Sequence, residues 1–142
     1  MSDNRKRQFV DTNILVYAHD ASAGSKQAVA EELIRDLWET GDGCLSVQVM
    51  QEFYVTITRK VAHPYPPIEA AEILRDLSFW RVYSPTAEDV LGAIDLQRRY
   101  DTSFWDAMII HSAICMDCSV LWSEDLADGQ MVEQLTVKNP FK

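Results

Sequence analysis

Asp11, Glu52, Asp106 and Asp125 are the side chains of this 142-residue sequence whose types and positions allow shared chemistry. Asp11 closes Gln8-Phe9-Val10, three residues suited to a buried strand, and leads straight into the apolar run Ile14 to Tyr17. An acid ending the first strand of an α/β chain lies at the carboxyl edge of the sheet, where open α/β folds place ligands. Glu52, in Gln51-Glu52-Phe53, belongs to the first two turns of the helix after the second strand. Asp106 falls in the first turn of a later helix, in Ser103-Phe104-Trp105-Asp106-Ala107, and Asp125 follows a late strand, in Leu121-Trp122-Ser123-Glu124-Asp125-Leu126. A parallel sheet gathers its strand ends and the starts of the following helices at one edge, so these four acids are expected to converge.

Each has a plainer alternative. Asp11 or Asn13 can cap the next helix. Asp106 can complete a capping box with Ser103. Glu52 lies off the apolar stripe of its helix, as a solvated surface acid would. Asp125 can be a turn residue, with Glu124 and Asp128 as rivals for any role. Taken jointly, four carboxylates at one edge repel each other unless a cation neutralises them. Hard oxygen donors without a His or Cys set favour Mg²⁺ or Mn²⁺ over Zn²⁺. Such ions activate water and hold phosphate oxygens, which makes phosphodiester hydrolysis the natural chemistry.

The elements that must position these acids can be read in order. A strand ending at Val10 is followed by a short helix over 14–20, and Ser25 is placed to cap a long helix carrying Ala30, Leu33, Ile34, Leu37 and Trp38 on one stripe. Gly41-Asp42-Gly43 stops that helix. Cys44 to Ser46 is a second strand, and Ser46 can cap a helix running to about Lys60. His63-Pro64-Tyr65-Pro66-Pro67 is a loop. Helix 68–77, strand 79–83, a helix opened by Thr86 and Asp89 at capping-box spacing, and a helix after Ser103 follow. The core of that last helix, Ala107-Met108-Ile109-Ile110, is apolar nearly all round and should be buried. Ser119 to Trp122 is a strand, Asp128-Gly129 a turn and Leu135 to Val137 a final strand. Short strands alternating with helices predict an α/β fold: a three-layer α/β/α sandwich with a short central parallel sheet.

The length suits one domain, residues 1–142, with 1–7 as a flexible N-terminal tail. Hydrophobic residues make up 47% and charged residues 25%, as in ordinary globular proteins. No apolar run has the length of a membrane span, and residues 1–7 lack the apolar core of a signal peptide, so a cytoplasmic location is expected. A net charge of −9 argues against a general nucleic-acid coat protein, though not against an enzyme that meets phosphates through bound cations. Local basic spots lie at Arg5-Lys6-Arg7, Arg59-Lys60 and Arg98-Arg99. Cys44, Cys115 and Cys118 are too few for a disulfide framework. Cys115-Met-Asp-Cys118 has the spacing of half a zinc or redox site but lacks a second pair, which leaves packing as the expected role.

Phe9-Val10-Asp11-Thr12-Asn13, Gln51-Glu52-Phe53, Ser103 to Ala107 and Leu121 to Leu126 resemble, in order and spacing, the successive motifs of PIN domains, and in particular the VapC-type toxins of bacterial toxin–antitoxin pairs. The resemblance spans about residues 8 to 137. It implies a Mg²⁺- or Mn²⁺-dependent ribonuclease, a protein antitoxin as partner, and a homodimer. By position, Asp11, Glu52 and Asp106 match the metal-holding acids, Asp125 matches a more variable fourth, and Asn13 and Ser123 match supporting polar residues. The expected reaction is in-line attack of water on phosphorus, leaving a 5′-phosphate and a 3′-hydroxyl. Two other readings remain. An aspartate-nucleophile phosphohydrolase also carries Asp after its first strand, but needs a second acid where this chain has Asn13. A protein-binding module could use aromatics such as Trp38, Tyr54 and Tyr65.

Overall fold

The computed structural model describes residues 6–142. Its strands are β1 (Gln8–Val10), β2 (Gly43–Ser46), β3 (Arg81–Tyr83), β4 (Val120–Trp122), β5 (Met131–Val132) and β6 (Leu135–Lys138). Its helices are α1 (Thr12–Ala18), α2 (Ser25–Thr40), α3 (Val47–Arg59), α4 (Pro67–Leu77), α5 (Ala87–Tyr100) and α6 (Phe104–Cys115). The sheet order is β3-β2-β1-β4-β6-β5, parallel throughout except for β5 against β6.

That order fixes the layers. The chain steps from β1 outward to β2 and β3, then returns across β1 to β4. Right-handed crossovers therefore put α1 to α4 on one face of the sheet and α5 with α6 on the other. The helix packing agrees, with α1 against α2 and α3, α3 against α4, and α5 against α6. The reversal of direction between β1 and β4 creates the crevice in which open α/β sheets bind ligands. Phe9, Val10, Leu45 and Leu121 are fully buried at the centre of the core, as strands covered on both faces require.

Several local expectations hold and others shift. Ser46 caps α3 through Val49 N–H (3.3 Å), and α6 buries Ala107 to Ile110 as well as Ser112 and Ala113. Thr86 and Asp89 close the capping box of α5. By contrast, Ser25 is the first residue of α2, and Gly24 takes the cap position at φ 65°, ψ −134°, a conformation open essentially to glycine alone. The strand expected over 79–83 begins only at Arg81. Phe79 and Trp80 instead continue the end of α4, their N–H groups donating to Asp76 and Leu77 carbonyls, which leaves the Phe79 side chain exposed and Trp80 buried. Of the expected tail, residues 1–5 lie outside the described residues. Arg7 is held by Nη1 on the Met116 carbonyl (3.0 Å) and by its own carbonyl accepting Ser119 N–H. Cys44 and Cys118 are buried as expected of packing residues, while Cys115 is exposed.

Candidate active site

Asp11 sits between the end of β1 and the start of α1, and both readings of it meet there. Its backbone is extended, it occupies the N-cap of α1, and Oδ1 accepts the Thr12 N–H at 2.7 Å. Its other oxygen, Oδ2, accepts the Ser123 hydroxyl at 2.8 Å across the β1–β4 crevice. Only 6% of its surface is exposed. Burial pushes the Asp11 carboxyl from 3.8 to about 7, the charges of Glu52 and Asp106 add to the rise, and the bonds from Ser123 and Thr12 oppose it. A capping residue needs none of that burial or that acidic company.

Glu52, in the second turn of α3, is half-buried and clamped. Thr12 Oγ1 donates to its Oε1 at 2.7 Å and Gln48 Nε2 to its Oε2 at 3.1 Å. Gln48 stands one helical turn before Glu52, so the two share a face of α3. Its Nε2 also reaches the Trp105 carbonyl at 3.2 Å, tying α3 to the start of α6. The Gln48 Oε1 is buried without a hydrogen-bond partner. Asp106, in the first turn of α6, has its N–H on Ser103 Oγ (3.1 Å), so Ser103 is the cap. Burial raises the Asp106 carboxyl too, with Asp125 and Glu52 adding their charges and the Ser103 hydroxyl opposing.

The loop after β4 separates the two rivals for the fourth acid. Asp125 receives Asn13 Nδ2 on Oδ2 at 2.9 Å, and its N–H donates to Ser123 Oγ at 3.2 Å. Glu124 faces elsewhere: Tyr17 donates its hydroxyl to one carboxylate oxygen and Lys26 its ammonium to the other. Burial pushes Glu124 up, but those two hydrogen bonds and the Lys26 charge outweigh it and hold the group below its ordinary value. Glu124 is therefore already neutralised by its own chain.

The structure thus brings Asp11, Glu52, Asp106 and Asp125 within electrostatic reach, with Asn13 and Ser123 bonded to two of them. No three of the four carboxylates bring their oxygens within 4.8 Å of one another. Thr12 and Gln48, which hydrogen-bond Glu52, are the members of this cluster that sequence reasoning passed over. Both signals were present, since Thr12 lies inside the first motif and Gln48 stands four residues before Glu52. Asn13 spends its amide on Asp125, and an amide cannot serve as the acid an aspartate-nucleophile phosphohydrolase needs. Of the aromatics, Trp38 and Tyr54 are partly exposed, but Trp38 packs edge-on against Trp80, and Tyr65 donates its hydroxyl to the His19 carbonyl.

The VapC20 toxin of Mycobacterium tuberculosis, described as cleaving the sarcin–ricin loop, has a similar structure, with TM-score 0.64 and 22% identity over 83% of this chain and 89% of that one. A toxin–antitoxin complex from Klebsiella pneumoniae superposes with TM-score 0.71 at 16% identity, covering 95% of this chain and 98% of that one. A DNA-bound VapBC from Salmonella typhimurium gives 0.67 at 13% identity, covering 95% and 98%. No curated protein sequence matches. The PIN domain model matches residues 9–127, from inside β1 to just past the fourth acid. Most of the chain lies within that match, and the chain belongs to the PIN domain family.

Proposed function

We propose that this chain is a metal-dependent ribonuclease and the toxin of a toxin–antitoxin pair. The observation that carries the reading is Asp11: a buried carboxyl pushed to about 7 beside two further acids is a pocket whose charge calls for a cation. The donor set fits Mg²⁺ or Mn²⁺, since every candidate ligand is a carboxylate oxygen. Asp11, Glu52 and Asp106 would hold the ion, with Asp125 as a fourth acid at the mouth. A divalent ion so bound lowers the pKa of a water, polarises a phosphate oxygen and stabilises the leaving alkoxide.

The chain's own contribution is orientation. Ser123 and the Thr12 N–H fix both oxygens of Asp11, and Thr12 Oγ1 and Gln48 fix both of Glu52. Asn13 aims Asp125, accepting the Glu124 N–H (3.3 Å) while it donates to the carboxylate. Such outer hydrogen bonds set the direction and basicity of ligands.

The structural neighbours named as toxin–antitoxin complexes support an antitoxin partner. A largely apolar hollow of about 440 Å³, lined by Ile34, Trp38, Ile73, Leu77 and Phe79 with His19 and Asp76, offers such a partner a surface. The homodimer implied by the resemblance is part of the same proposal. No described helix is long and apolar enough to cross a membrane.

The test is cleavage of a mixed RNA pool by purified protein in Mg²⁺, in Mn²⁺ and in EDTA, beside Asp11→Asn. Cutting is expected in one or both metals, none in EDTA, and a loss of about a hundredfold or more in the variant. Full activity in Asp11→Asn would overturn the assignment.

A further inference from the structure

A second group of metal-ligating side chains lies on the other half of α6. His111 Nε2 is 2.9 Å from Asp89 Oδ1 and 3.3 Å from Cys115 Sγ, and Sγ is 3.7 Å from the same Oδ1. Among the described residues this is the one set of three or more His, Cys, Asp or Glu side chains whose donor atoms all lie within 4.8 Å of one another. We propose that Asp89, His111 and Cys115 bind a zinc ion, one that joins α5 to α6 and is separate from the catalytic metal.

Four observations carry it. The first is spacing: tetrahedral Zn²⁺ with ordinary Zn–O, Zn–N and Zn–S bonds separates its ligand atoms by about 3.3–3.6 Å. The three observed separations bracket that range, so a few tenths of an ångström of side-chain adjustment closes the site. The second is convergence on one nitrogen. In a Cys-His-Asp catalytic arrangement the thiol and the carboxylate use opposite ring nitrogens, whereas here both face Nε2. That is a triangle around a point and not a relay.

The third is preparation of Asp89. Its Oδ2 already accepts the Tyr83 hydroxyl (2.8 Å), the Thr86 N–H (2.7 Å) and the Thr86 hydroxyl (3.1 Å), which fixes the carboxylate and leaves Oδ1 turned to the triangle. The fourth is the room made for the imidazole. A Cβ on Gly92 would come within 2.4 Å of His111 Cε1, so a helix-interior glycine, which alanine would outdo as a helix former, seats this ring.

The donor types select the metal: thiolate, imidazole and carboxylate together suit zinc and not magnesium. Cys115 is exposed and gives the ion a way in, with a water completing the tetrahedron. On binding, the thiol proton passes to solvent and the sulfur takes the metal in its place. Asp106 is in the first turn of α6 and Cys115 is its last residue, roughly 14 Å apart along the helix axis, so the two sites do not share ligands.

The experiment titrates metal-free protein with Zn²⁺ alone and with Co²⁺ alone. One zinc per chain is expected in Asp11→Asn, where the carboxylate site is disabled, with a higher melting temperature on binding. Cobalt should give a near-ultraviolet thiolate-to-cobalt charge-transfer band. Cys115→Ala, at an exposed helix end where alanine is tolerated, should lose the band and weaken zinc by at least about a hundredfold, more than loss of an outer partner costs. Asp11→Asn should keep both signals, because it empties only the other site. No thiolate band in the unmutated protein, undiminished zinc in Cys115→Ala, or loss of both signals in Asp11→Asn would each overturn the proposal.

Discussion

At Asp11, burial outweighs two hydrogen bonds that favour the anion, and that imbalance has a sign that can be measured. A folded value of about 7 against 3.8 means that the group contributes stability below about pH 4 and loses it as pH rises through 7. The preference for the protonated form is on the order of 4 kcal/mol. In EDTA at pH 8, Asp11→Asn is therefore expected to be more stable than the unmutated protein by roughly 2–4 kcal/mol, with the difference gone near pH 4. Chemical denaturation at both pH values checks this, and a less stable variant at pH 8 would show that the anion is paired more strongly than its partners indicate. The sequence made Asp11 visible by placing it at a strand end. It left Glu124 as a rival to Asp125, because what sets them apart is tertiary: Lys26 and Tyr17, about 100 residues away in sequence, claim Glu124. Gln48 stayed hidden for a related cause, its second contact being the Trp105 carbonyl on another helix.

Among the elements, α6 was the most legible, since a helix apolar on every side has nowhere to go but the interior. Caps were legible where side chains make them, at Ser46 and Thr86, and not where backbone conformation decides, at Gly24. β5 was not read at all, because two residues carry no period. The start of β3 was misplaced because Phe79 and Trp80 look like strand residues while finishing a helix. β2 contains a constraint of another kind. A Cβ on Gly43 would stand 2.7 Å from ring carbons of the buried Trp80, which also packs on Trp38. Gly43→Ala is expected to cost about 1–3 kcal/mol through overpacking, read as a lower denaturant midpoint at constant slope. An unchanged midpoint would mean that the indole moves aside freely.

For the whole molecule, four acids from distant parts of the chain were expected at one edge because parallel topology leaves them no other place, and the β1–β4 reversal supplies the crevice. The charge balance was harder to read. With a net charge of −9, RNA contact under the proposed function rests on local bases, and one such spot is already engaged: Arg98 and Arg99 pair with Asp95, and Arg99 also with Glu133. Arg59 and Lys60, at the end of the helix that carries Glu52, remain exposed. If two phosphates are met there, RNA affinity should fall roughly fivefold to tenfold between about 50 and 200 mM salt. A binding titration at fixed Mg²⁺ checks the slope, and a flat response would exclude these bases as the contact.

β1 precedes the other described strands in the chain and lies inside the finished sheet, between β2 and β4. One of its edges is closed by β2, but the other waits for residues 120–122, and the Asp11 carboxylate waits for the hydroxyl of Ser123. Domains fold as units once their parts have left the ribosome. A chain halted just short of β4 carries Asp11, Glu52 and Asp106 but neither the crevice nor the Ser123 support of Asp11. Under the proposed function, the pocket cannot assemble until residues 120–123 have been made, and a chain shorter than that would lack activity.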